Sequence, residues 1–245
     1  MYRKSWTLLM VALLTALLAF GCSDDDNSTG GNNNTTPEIP SVMENINVPT
    51  ENLAGSGNIY GTQAAMYVAM AQAYSSFLTP PPTSVAKHDG PSLALSDSVT
   101  YSWSNGQLSI IMTWQETSTE YIWICQLDGY DESSETTFDH FTFIECHELL
   151  NGSSGWMELY DPDQTGAVLR WDWTEVEGVF TMTLTMVDGS DTATIVIKVY
   201  ANGSGYVEYT VVPDNGDYWK ITWNAAGTSG EWFTDTESGT WTYSG

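Results

Sequence analysis

The chain has 245 residues, with 31 acidic side chains against six basic ones and a formal net charge of −25. That balance excludes nucleic acid, whose phosphates demand Lys and Arg, and it denies the chain an electrostatic grip on anionic lipid. Eleven Trp and thirteen Tyr supply enough bulk for one substantial core.

The first element is an export leader. Arg3 and Lys4 precede thirteen mostly apolar residues, Leu8 to Phe20. A basic start and an apolar run of this length read as a secretory signal. A membrane-crossing helix needs about 20 apolar residues. The run ends in Leu18-Ala19-Phe20-Gly21-Cys22, which resembles the lipobox of bacterial lipoproteins. The resemblance covers only the export segment. It implies that residues 1–21 are removed and that Cys22, carrying palmitate-type acyl chains, becomes the first mature residue. Four basic side chains then face 31 acidic ones, a net of −27. Ser23 differs from the aspartate that commonly marks inner-membrane retention, so the outer membrane is the expected destination. Asp24-Asp25-Asp26 is similar to the acidic signal that sends lipoproteins of one group of diderm bacteria to the cell surface. It reads equally as the start of a solvated spacer, so surface-exposed and periplasm-facing placements both stay open.

Residues 22–55 are read as the lipidated cysteine and a flexible tether. The Asn, Thr, Ser, Gly and Pro of GGNNNTTPEIP bury too little apolar surface to offset ordering. A coil of this length spans on the order of 30 Å. Residues 56–245 are read as a single domain. It opens with one helix, Tyr60 to Phe77, rich in Ala, Met and Gln and stopped by the prolines at 80–82. Met66, Met70, Ala73 and Phe77 share a face, and Tyr67, Val68, Ala71 and Tyr74 leave little polar surface elsewhere. Such a helix is expected to lie buried against a sheet, with the Met stripe in the core.

From Val99 onward the apolar period changes to two. In VFTMTLTMV, Phe180, Met182, Leu184 and Met186 alternate with Thr181, Thr183 and Thr185. YWKITW sets Trp219, Ile221 and Trp223 against Lys220 and Thr222. Short turns such as VDGSD and ANGSG join the runs as hairpins. The fold class expected is mainly β, with about twelve antiparallel strands in a meander forming a curved sheet or barrel. The N-terminal helix packs against it, because YIWICQL is apolar on both faces and calls for cover. SGWMELYDPDQTGAVLRWDW (154–173) and SGYVEYTVVPDNGDYWKITW (204–223) align as a faint repeat. Glu158 matches Glu208, Gly166 matches Gly216, Arg170 matches Lys220 and Trp173 matches Trp223. A shorter echo starts at SGEWFTD.

Cys125 and Cys146 sit in neighbouring strand-like runs of an exported chain, where disulfides persist. Placing them opposite each other also sets Leu127 against Ile144, so a cross-strand bridge is the favoured reading. It ranks above buried free thiols, and both rank above a metal site built from Cys125, His140, Cys146 and His147, whose spacing lacks a CxxC pair. No metal and no cofactor are expected. DPDQTG (161–166) has the Asp-x-Asp start of a calcium loop, with Asp172 at the twelfth place, but it reads better as a hairpin turn. His88 stands beside a Pro-rich loop, and no nucleophile elbow, zinc-protease, phosphate-loop or dinucleotide pattern occurs. The chain therefore reads as non-catalytic, with no catalytic residue assigned. Two binding roles remain: a carrier or receptor for an apolar or amphiphilic ligand, and a surface module for protein or glycan. In outline, helix then antiparallel strands, the chain is similar to lipoprotein carriers of the sorting type. That likeness is one of architecture, without a shared motif.

Overall fold

The computed structural model describes residues 40, 46–79, 86–87, 98–105, 107–132, 134–213 and 217–245. The leader, Cys22, the acidic run, the prolines at 80–82, His88 and Gly216 lie outside the described residues. Among the described residues two helices come first, α1 (Thr50–Gly55) and α2 (Ile59–Ser75), the latter continued by a 3-10 turn, Ser76–Leu78. Thirteen strands follow: β1 (Ala86–Lys87), β2 (Ser98–Asn105), β3 (Leu108–Glu116), β4 (Glu120–Asp131), β5 (Thr136–Leu149), β6 (Ser154–Tyr160) and β7 (Ala167–Val176), then β8 (Val179–Asp188), β9 (Asp191–Val199), β10 (Gly205–Val212), β11 (Trp219–Trp223), β12 (Ser229–Thr234) and β13 (Ser238–Thr242). They form one antiparallel sheet in strict sequence order, with β1 and β13 as its edges. Among the described residues the sheet is an open meander. It is not closed into a barrel.

Period-two burial drives this arrangement. Phe180, Met182 and Leu184 are 5%, 1% and 1% exposed, whereas the threonines between them are half-buried on the other face. Trp219, Ile221 and Trp223 repeat the pattern on β11. Each such side chain contributes roughly 1.5–3 kcal/mol on leaving water, provided something covers it. The cover is α2. Asn58 caps its start, accepting the N–H groups of Tyr60 and Gly61 at 2.9 and 3.2 Å.

The path of α2 shows that the sheet bends. Tyr60 packs at a tilt on Trp219 and Trp232, Tyr67 stacks on Tyr209, Tyr74 packs at a tilt on Trp171, and Phe77 meets Phe143 edge-on. The helix thus runs from β12 to β5. Flat strands at about 4.8 Å spacing would put β12 and β5 roughly 34 Å apart. The backbone from Tyr60 to Phe77 rises only about 27 Å. The sheet therefore wraps toward the helix, giving a concave face that carries the core and a convex face that meets water.

Two sequence expectations change here. The buried stripe of α2 is Ala64, Val68, Ala71 and Tyr74, continued by Leu78 in the 3-10 turn, all at most 3% exposed, while Met66 is 52% exposed. The small alanines let the helix approach a wall of tryptophans, and the bulky Met66 is turned outward instead. The folded part also begins earlier than residue 56. Ile46, Val48 and Leu53 are buried, so the segment assigned to the tether already contributes to the core before Gly55.

Candidate functional site

Adjacent strand residues face opposite ways, and this parity sorts the chemistry. Cys125 and Cys146 lie on the concave face, fully buried and free. The register places Cys125 opposite Ile144 and Cys146 opposite Trp123, which corrects the expected Cys125–Cys146 pairing. Irregularities between Cys125 and Gln126 and between Leu127 and Gly129 set how β4 and β5 align. The Cys125 thiol donates to the Phe77 carbonyl at 3.7 Å. Burial pushes both thiols up from their ordinary range, and for Cys146 the nearby Glu148 and Cys125 add to the effect.

Glu148 is the one buried charged side chain among the described residues, 4% exposed on the concave face. Its carboxylate accepts the Trp173 indole N–H at 3.1 Å. Around it stand the aromatic rings of Trp114, Tyr121 and Trp123, whose centroids follow one another at 6.1 and 5.9 Å. Three indole N–H groups on this face, those of Trp114, Trp123 and Trp171, have no acceptor among the described residues.

The convex face carries a different network. His147 bridges Glu120 and Glu145, each at 3.1 Å, and stacks on Trp156 at 4.4 Å. Arg170 lies over the same Trp156 ring and pairs with Glu158 and, through two nitrogens, with Asp172. The Tyr160 hydroxyl donates to Glu158. The sequence repeat recurs as geometry: Lys220 pairs with Glu208 at 3.4 Å, sits 3.8 Å from the Tyr206 ring centre, and the Tyr218 hydroxyl donates to Glu208 at 3.1 Å. The inner face repeats too. A Trp side chain lies over the glycine opposite it in Gly155/Trp173, Gly205/Trp223 and Gly230/Trp241. On the convex face these aromatic rings are occupied by the protein's own cations, and the carboxylates by its own donors.

The metal reading cannot be assembled, because Cys146 and His147 occupy opposite faces. His140 stands instead on the outer part of the β4–β5 hairpin, 3.4 Å from Asp128 and 3.1 Å from Asp139. The hydrogen bond to Asp139 and the charge of Asp128 raise its pKa. These three groups, Asp139 and His140 exposed and Asp128 half-buried, could share a cation. The sequence reading missed the grouping, which only the β4–β5 register reveals. Asp161 and Asp163 belong to the β6–β7 turn, where the Asp161 carboxylate accepts the Asp163 N–H at 2.8 Å. Asp172 is committed to Arg170, so the hairpin reading of DPDQTG fits the structure.

No protein-family model, no curated protein and no solved structure matches this chain.

Proposed function

We propose that the protein is a non-catalytic, lipid-anchored component of the cell envelope that carries or receives an apolar or amphiphilic ligand on the concave face of its sheet. The observation that supports this most is the composition of that face: an apolar wall, crossed by one helix, that nevertheless holds a carboxylate and three indole donors without acceptors among the described residues. An apolar surface with few polar groups suits a ligand of mixed character. The convex face favours the surface-module reading less, since its aromatic and charged groups already satisfy one another.

The anchor in this reading is Cys22, and the outer membrane is the compartment. Protein extracted without added lipid and weighed by native mass spectrometry is expected to carry a non-covalent apolar adduct. Mass equal to that of the acylated chain alone would remove the carrier reading. Radiolabelled palmitate is expected to mark the wild-type chain and to miss Cys22→Ser.

A further inference from the structure

Alternation breaks near the tip of the long β4–β5 hairpin. Leu127 pairs with Phe141 and Gly129 with Phe138, so one residue, Asp128, faces two, Asp139 and His140. Two residues against one make a β-bulge, which re-aims side chains. His140 takes a φ of 50°, a left-handed conformation uncommon outside glycine. Asp139 and His140, which strict alternation would send to opposite faces, therefore meet Asp128 together. The His140 Nδ1 atom lies 3.1 Å from an Asp139 oxygen and 3.4 Å from an Asp128 oxygen. All three donor atoms fall within 4.8 Å of one another. The neighbours hold this arrangement. The Gln126 side-chain amide donates to the His140 carbonyl at 3.1 Å and to the Thr142 hydroxyl at 3.3 Å. The Phe138 and Phe141 rings, one on each side of the bulge, pack with centroids 5.7 Å apart. The Tyr130 N–H donates to the Gln107 carbonyl at 3.1 Å, which ties the hairpin to the β2–β3 turn.

The donor set narrows what fits. Donors bound to a tetrahedral zinc ion stand about 3.3–3.6 Å apart, close to the two distances found. Calcium and magnesium take oxygen donors, whereas an imidazole nitrogen suits zinc, nickel and copper. Elsewhere on the convex face the carboxylates are engaged by the protein's own cations, Glu158 and Asp172 by Arg170 and Glu208 by Lys220. Among the described residues neither Asp128 nor Asp139 meets a Lys or Arg. The His140 side chain is 56% exposed and that of Asp139 100%, so an ion held there keeps one side open to water. We propose that Asp128, Asp139 and His140 form a zinc-class divalent-metal site with three protein donors and one open position. Leu127 and Phe141 join the core, so Asp128 points away from the concave wall. The site therefore does not depend on the carrier reading.

The test titrates zinc chloride into the whole chain carrying Cys22→Ser, purified in detergent, with calcium chloride as the comparison. Cys22→Ser removes the one thiol outside the buried pair, so that sulfur does not compete. Isothermal calorimetry is run at about 0.5 M NaCl, where diffuse attraction to an acidic surface is screened. One saturable zinc site per chain is expected, at least about tenfold tighter than calcium. His140→Ala and Asp128→Asn are each expected to weaken zinc binding about tenfold or more, with circular dichroism unchanged. Asp161→Asn, in the β6–β7 turn, should leave zinc binding as it was. No zinc binding overturns the assignment and leaves the three groups as an ion pair shared by a protonated imidazole. Calcium bound as tightly as zinc overturns it as well. So does zinc affinity unmoved in both folded variants, because the uptake would then belong to the 31 acidic side chains at large.

Discussion

Cys146 and His147 are neighbours in sequence, yet one is sealed in the core and the other stacks on Trp156 in contact with water. Facing is decided residue by residue, and a register error of two changes partners without changing faces. The favoured disulfide depended on that detail. The turn closes over Asp131–Thr136, and the irregularities beyond it set Cys125 opposite Ile144. Titration of native protein is expected to find no reactive thiol, and denatured, unreduced protein to release two, from Cys125 and Cys146. A denatured chain with none would restore the bridge. The concave placement of both cysteines was legible from alternation alone. Their pairing was not, because extra residues inserted into a strand leave no signature in an apolar pattern. Glycine tells a similar story. A Cβ at Gly155 would overlap the Trp173 ring and the His147 carbonyl. Gly155→Ala is expected to lower stability by about 1–3 kcal/mol through overpacking, read as a lower urea midpoint at unchanged slope. The repeated Ser-Gly was visible in the sequence, but the ring lying over each glycine was not.

Among the elements, the helix was legible in extent and illegible in orientation. Its residues are apolar nearly all round, so the Met stripe chosen from the sequence was no better marked than the Ala64–Val68–Ala71–Tyr74 stripe that is buried. What selects the buried face is size: Ala64 and Ala71 allow close approach to Trp219 and its neighbours, and Tyr74 fills the space at Trp171. Val68→Asp is expected to cost about 3 kcal/mol or more by burying a charge. Met66→Lys is expected to change stability by less than about 0.5 kcal/mol, as exposed substitutions do. Chemical denaturation of both variants checks this, and equal losses would return Met66 to the core. The strands from Val179 onward were easier to read, because Thr alternates with Phe, Met and Leu and hairpin turns follow at short intervals. The early strands are apolar on both faces. Ile122 and Ile124 are only half-buried on the convex side.

At the scale of the whole molecule, one sheet in sequence order, one helix across it and the segment from Ile46 to Leu53 account for the core of the described residues, and the first two could be read from periodicity and turns. The unmatched indole donors could not, since they depend on which strands meet in register and on what no neighbour supplies. If the acidic run after Cys22 directs the chain outward, external protease on intact cells should remove the domain. Full protection would place it inside the outer membrane. If Cys22 carries the proposed anchor, the entry of the chain also gives the molecule a direction. Pro49 lies against Gly227 in the β11–β12 turn, and Asn52 donates to the Gly227 carbonyl at 3.0 Å. In an antiparallel meander, the β11–β12 turn and the β4–β5 turn fall at opposite poles. A body so moored near Gly227 would hold its longest hairpin, tipped with Asp128, Asp139 and His140, farthest from the mooring, as the first part an approaching object would touch.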